Sequence, residues 1–349
     1  MTSSYDVVQS RLEREFRPMM WLYFLSRRLA QFAPFIGDPL KFRAFMERSF
    51  FLSRDPLTDL MTRREWMDAL QEQIASLYPY TQAYMRLGEG VSLEAIAESL
   101  PEDLGPPRLW FIAGDIAYLS LANAHEELQH EKGNQYLGSI AKVLRGLERK
   151  RIYPGRLGGD EFALLVLGRK RYMEVVRDRV FECVGTQALE VHGKSLPARI
   201  DLGVAEFTEA LEIFRELVLL HIQEKAAGRD PFLASGATID HRTLLNIFLR
   251  LADWRADLSK KYSRYYLLAD LWISDRDWYH RVVDHLRKAV NISDNEVIAL
   301  AAQKEQLSEE AFSRHVVIRI LSRVDQPVGF LSRRIWEQVR GIVDIDSDI

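Results

Sequence analysis

The chain has almost no cysteine and almost no net charge. Cys183 is the single thiol among 349 residues. An internal disulfide is therefore excluded, and a reducing, cytoplasmic compartment is the expected location. Basic residues number 47 against 50 acidic ones, a net charge of −3. With no basic surplus, electrostatically driven binding of nucleic acid is not expected. The N-terminus shows no secretory signal pattern. Its most apolar run, Met19–Leu25, spans seven residues and is followed by Arg27 and Arg28. That is too short to cross a bilayer and reads as the buried face of a helix, in preference to a membrane-surface helix. Tandem repeats and low-complexity tracts are absent as well.

What is present divides into three parts. Residues 1–52 carry Val8, Leu12, Phe16 and Met19 at helical spacing and are expected to form a helical segment. Residues 53–235 alternate short apolar runs with amphipathic stretches, which read as strands and helices in turn. An insertion occupies about 78–107, within which Ser92 is placed to cap a short helix Leu93–Leu100 that Pro101 ends. Residues 236–349 read as an all-helical domain without a chemical motif. Leu244, Phe248 and Leu251 form a stripe, and Ser293-Asp294-Asn295-Glu296 makes a capping box. Pro327 is expected to stop the helix holding Val316–Leu321.

The densest chemical signal is Gly158-Gly159-Asp160-Glu161-Phe162. It lies between Arg151-Ile152-Tyr153 and Ala163–Leu167, two apolar runs that predict the strands of a hairpin. Glycines at such a turn permit positive φ or close approach of a ligand to the backbone. Two carboxylates follow at once, which suits a place where phosphates and a divalent ion meet the main chain.

These five residues resemble the signature of the GGDEF family, the diguanylate cyclases. Four further motifs follow the family's order. Asp55-Pro56-Leu57-Thr58-Asp59-Leu60-Met61-Thr62-Arg63-Arg64 is similar to its opening helix motif, with Asp59 for Gly and Thr62 for Asn. Leu109–Asp115 resembles its first strand, which ends in a metal-binding Asp, and Asp201-Leu202-Gly203-Val204-Ala205 resembles its strand S-I-G-V-A. Glu224-Lys225-Ala226-Ala227-Gly228-Arg229-Asp230 resembles its closing A-K-x-x-G-R-N. The likeness covers roughly residues 53–232. It implies a palm-like, mainly antiparallel sheet flanked by helices, and a bacterial signalling role. The implied reaction condenses two nucleoside triphosphates, GTP first among them, into a cyclic dinucleotide with release of pyrophosphate.

The resemblance also assigns roles. Asp115, Asp160 and Glu161 would be the catalytic acids and, with the Ile116 carbonyl, the ligands of Mg2+ or Mn2+. Hard oxygen donors of this kind suit such ions, which neutralise phosphate charge. Gly158, Gly159, Asn123, Asn134, Lys225 and Arg229 would bind substrate. Lys225 and Arg229 are four apart, on one helix face, and can grip one anion. Asn123 would read guanine through its carboxamide.

Departures from the pattern qualify these roles. The family's D-x-D-x-F-K becomes Asp115-Ile116-Ala117-Tyr118-Leu119-Ser120, without its second acid and its phosphate-contacting Lys. The stretch Asn123–Asn134 is two residues longer than the family's base-reading loop, and Asn134 stands where an Asp accepts hydrogen bonds from guanine. An amide accepts only through its oxygen, so relaxed base choice and a mixed dinucleotide product are an alternative. Arg149-Lys150-Arg151-Ile152 replaces the R-x-x-D of product inhibition, with Ile for Asp. His125 and His130, like His280 and His285, are five apart and share no helix face, so they do not read as metal ligands. A second function class stays open: a catalytically degenerate module that binds nucleotide or protein and signals by conformation. Because each domain would hold one triphosphate, a homodimer is expected, held mainly by residues 1–52. Trp272, Trp278 and Trp336 in 236–349 suit either a core or a contact with a protein partner.

Overall fold

The structure is a computed structural model that describes residues 54–81, 92–101, 103–123, 129–191, 193–228, 243–288 and 290–323. The expected N-terminal helical segment, Arg229, His125, Pro327 and Trp336 lie outside the described residues. All described residues fall in one compact unit beginning at Arg54.

Short runs that are buried almost throughout set the centre of the sheet. Its strands are β1 (Met61–Thr62), β2 (Leu109–Ile116), β3 (Ile152–Arg156), β4 (Glu161–Leu167) and β7 (Ile200–Glu206), in the spatial order β1-β3-β4-β2-β7. Only β1 and β3 run parallel; the other neighbours are antiparallel. A separate two-stranded ribbon, β5 (Ala188–Val191) with β6 (Lys194–Pro197), precedes β7. The mainly antiparallel α+β architecture expected from the sequence is therefore present.

Successive strand residues point to opposite faces, so the sheet serves two cores. Trp110, Ile112 and Ile116 enter one, together with α4 (Gln129–Gly146) and α5 (Lys170–Gly185). Leu109, Phe111 and Ala113 enter the other, with α1 (Arg63–Leu77) and α6 (Phe207–Ala226). The helix inside the insertion is α2 (Leu93–Ser99); Ser92 Oγ accepts from the Ala95 N–H at 3.2 Å, and Ile96 and Leu100 fill the second core. A short helix α3 (Leu119–Asn123) links β2 to α4.

After residue 242 the chain forms α7 (Thr243–Ser274), α8 (Arg276–Lys288), α9 (Asp294–Gln306) and α10 (Glu309–Arg323). The predicted cap is in place: the Ser293 N–H donates to Glu296 Oε2 at 2.8 Å. These helices share both cores with the sheet. Leu244, Phe248 and Leu251 of α7 pack with Phe111 and Phe207, while Tyr265 and Leu268 of the same helix pack with Trp278 and Val297 in the first core. At 1.5 Å per residue, 32 residues make about 48 Å of helix, against about 24 Å for seven residues of β7. The helix lies along β7 and then overruns its end.

Gly203 makes that closeness possible. A Cβ there would stand 1.9 Å from the Ala252 carbonyl oxygen and 2.2 Å from the Ala256 nitrogen. Arg255 fastens the helix beside it, donating to the Val204 carbonyl at 2.6 Å and to both oxygens of Glu209.

Candidate active site

The end of the sheet gathers carboxylates because three strands terminate there in register. Asp115 on β2 stands opposite Glu161 on β4 and opposite Asp201 on β7. The β3–β4 hairpin closes beside them, with the Ile116 N–H donating to the Asp160 carbonyl at 3.1 Å. That bond ties the turn carrying Asp160 to the strand carrying Asp115.

The turn itself corrects one expectation. Neither Gly158 nor Gly159 adopts positive φ. A Cβ at Gly158 would meet only the tip of the exposed Glu161 side chain, Oε2 at 3.0 Å, which a small shift of that side chain relieves. Arg156 braces the turn by donating Nε and Nη2 to the Gly159 carbonyl, at 3.1 and 2.8 Å. Its Nη1 donates to Asp55 Oδ1 at 3.0 Å, and that carboxylate also accepts from the Thr58 N–H at 2.9 Å. The opening motif and the hairpin are thus one structure. Asp59, the replacement for Gly, takes φ +56°, a conformation that Asp tolerates better than most side chains. Thr62, the replacement for Asn, still caps α1, accepting from the Glu65 N–H at 3.4 Å.

A cavity of about 260 Å³ opens on the acid pair, lined by Asp115, Glu161, Phe162 and Leu157 from the sheet and hairpin and by Arg63 and Met67 of α1. Its far wall is α7, which contributes Leu249, Asp253, Ala256, Asp257 and Lys260. Lys260 Nζ lies 3.0 Å from Asp115 Oδ2. The other oxygen, Asp115 Oδ1, is buried and has no hydrogen-bond partner. Burial lifts the Asp115 carboxyl above the usual range; Lys260 opposes the shift, and Asp160 and Asp201 add to it. Asp253 is raised by burial and then by the charge of Glu161, partly offset by Arg63 and Arg250. Asp201 is fully buried and held by Arg264 Nη1 at 3.3 Å and Arg199 Nε at 3.2 Å, while the Arg264 guanidinium stacks 4.6 Å from the Tyr118 ring centre.

Hard oxygen donors side by side, one of them buried without a partner, suit a divalent ion in chemical type. Among the described residues, however, no three His, Cys, Asp or Glu side chains converge as a ligand set. Lys260 already occupies one Asp115 oxygen. The donors fit such an ion, and the ammonium competes for the same place.

Fifty-eight chains of known structure match this one. The chain is similar to GGDEF domains. The diguanylate cyclase SiaD of Pseudomonas aeruginosa, solved with its activator SiaC, is 23% identical over 64% of this chain and 74% of its own, with a TM-score of 0.32. The FimX GGDEF domain from Pseudomonas aeruginosa is 18% identical over 58% and 93%, with a TM-score of 0.34. The DgcB GGDEF domain of Caulobacter crescentus, in complex with c-di-GMP, is 18% identical over 51% and 89%, also at 0.34. No protein-family profile and no curated protein matches the chain.

The remaining candidates lie elsewhere. Asn123 packs its Oδ1 against Gly133, where a Cβ would stand 1.9 Å away, and Asn134 is exposed on α4. Neither lines the cavity. Lys225 is exposed at the end of α6 and does not line it either. It sits within electrostatic range of Glu94, whose carboxyl is lowered first by its own N–H, next by the Ser92 hydroxyl, and after these by Lys225 and His221. Ile152, in place of the inhibitory acid, is a core residue opposite Val166. Asp201, Asp253, Lys260 and Arg264 had no role in the sequence reading. Phe248, Ala252, Ala256, Lys260 and Arg264 recur every four residues along one face of α7. Small residues followed by two cations on one stripe were the signal for a helix lying against a sheet end rich in acids.

Proposed function

We propose that the chain is a GGDEF-type nucleotidyl cyclase, joining two nucleoside triphosphates, GTP first among them, into a cyclic dinucleotide. The observation that carries this reading is the in-register pairing of Asp115 with Glu161 at the end of two strands, beside the hairpin that presents Asp160. In the reaction each ribose 3′-hydroxyl attacks the α-phosphate of the other nucleotide, and two pyrophosphates leave. Asp115 and Glu161, fixed by the ladder, hold and take up the hydroxyl proton, and the Gly158-Gly159 turn lets phosphate approach the backbone. Bound magnesium or manganese would be held by Asp115, Asp160, Glu161 and the Ile116 carbonyl, and would neutralise phosphate charge. Two half-sites must face each other, so the reading includes a homodimer.

A specific observation favours a second reading. Ser120 replaces a phosphate-binding Lys, Lys225 does not line the cavity, and Lys260 neutralises Asp115. A non-catalytic module that binds nucleotide and signals to a protein partner fits these features.

Purified protein incubated with Mg2+ or Mn2+ and the four triphosphates, singly and in pairs, decides between them by mass spectrometry. The cyclase reading expects a cyclic dinucleotide that disappears in D115N, D160N and E161Q. Absence of product from both the wild-type chain and Lys260→Met, at micromolar protein, overturns the cyclase reading and favours the binding module.

A further inference from the structure

We infer that Lys260 is a resident cation of the acid site, and that it competes with a divalent ion for Asp115. The inference begins with place. Lys260 Nζ and Asp115 Oδ2 are 3.0 Å apart, and their side chains are only 24% and 22% exposed. The ammonium takes up one lone pair of Oδ2 and repels a second cation from that point. Asp115 Oδ1 is buried without a hydrogen-bond partner, so the carboxylate is half satisfied, and Asp115 and Lys260 both line the cavity.

The helix that brings Lys260 is fixed on both sides of it. Before it, Ala252 and Ala256 rest on Gly203, and Arg255 is held by Glu209 and by the Val204 carbonyl. After it, the buried Arg264 meets the buried Asp201. Withdrawal of α7 would break all of these contacts together. Rotation of the four-carbon Lys260 stem breaks one, and the cavity gives the stem room to move. Displacement is therefore a side-chain event.

Charge supplies the drive. The cavity wall carries four carboxylates (Asp115, Glu161, Asp253 and Asp257) against two cations, Arg63 and Lys260. Asp257 is also paired with Lys261 at 2.7 Å. With acids in excess the cavity accepts further positive charge, and a doubly charged hard ion is attracted to a carboxylate more strongly than an ammonium. The apparent affinity for the ion is lowered by the fraction of molecules in which Lys260 holds Asp115.

The inference rests on placing Asp115 in the acid site, as the cyclase reading does, but its test contains no nucleotide. Mn2+ binding to the metal-stripped full chain is measured by calorimetry for wild type, K260M, K260Q, K260R and K260M/D115N. Tighter binding, by about tenfold or more, is expected for K260M and K260Q. K260R is expected to bind as weakly as wild type, and D115N to remove the gain. If K260M does not fold, K260Q gives the same reading, and the Tm rise on adding Mn2+ should exceed that of wild type. Equal Mn2+ affinity in wild type and K260Q, or a gain that survives D115N, overturns the inference. A silent cyclase assay with increased Mn2+ affinity leaves it standing and removes only the cyclase reading.

Discussion

Gly203 and Ala252 are so close that no side chain fits between the strand and the helix. The obstacle to a Cβ is backbone: the Ala252 carbonyl at 1.9 Å, the Ala256 nitrogen at 2.2 Å and the Arg255 carbonyl carbon at 2.8 Å. Backbone cannot swing aside as a side chain tip can. Gly203→Ala should therefore cost about 3 kcal/mol or more, the upper range for overpacking a close contact. Urea denaturation of the two proteins measures it. A loss below about 1 kcal/mol would show that α7 does not lie on β7 this closely.

Ile152 makes a second case. It is 4% exposed and pairs with Val166 across the hairpin. Restoring the family's acid with Ile152→Asp should not create an inhibitory site. It should bury a carboxylate in an apolar core and lower stability by several kcal/mol. Calorimetry on wild type should find no cyclic di-GMP binding that depends on Arg149. Submicromolar binding lost in Arg149→Ala would refute this.

Asp253 predicts a pH dependence. Its carboxyl is raised in the folded chain, chiefly by burial and next by Glu161. The charged form is thus less favourable folded than unfolded, and the penalty is present above the raised value. As pH falls toward the unfolded value of about 4, both states become protonated and the penalty vanishes. Asp253→Asn should raise the Tm at pH 7 to 8, with the gain shrinking toward pH 4. A gain that stays constant across that range would mean that charge is not its cause.

Base choice gives the last prediction. Under the cyclase reading, an amide at Asn134 in place of a charged acceptor should weaken preference for guanine by roughly 1 to 3 kcal/mol. GTP and ATP in competition read this directly, and Asn134→Asp should restore the preference. Strict GTP use in both proteins argues that Asn134 does not touch the base.

The sequence by itself determined the local features. Motif resemblance marked β2 and β7, and the apolar runs flanking the glycine pair marked the hairpin of β3 and β4, because strand pattern and turn chemistry act over a few neighbouring residues. Ser92 and Ser293 marked helix starts for the same reason: a cap is satisfied within three residues. Motif order was also enough to bring Asp115 beside Glu161 once the strands paired. Tertiary structure decided the rest. Gly158 and Gly159 read as turn residues, yet their φ values and the closeness of Glu161 to Gly158 depend on how the hairpin closes. Lys225 matched a motif, but packing of the insertion helix α2 in the second core brought Glu94 into its range. Most of all, the meeting of Lys260 with Asp115 spans 145 residues. No local pattern encodes such a contact. It follows from a helix about twice as long as its strand, lowered onto Gly203 and carried past the sheet's end to the acids waiting there.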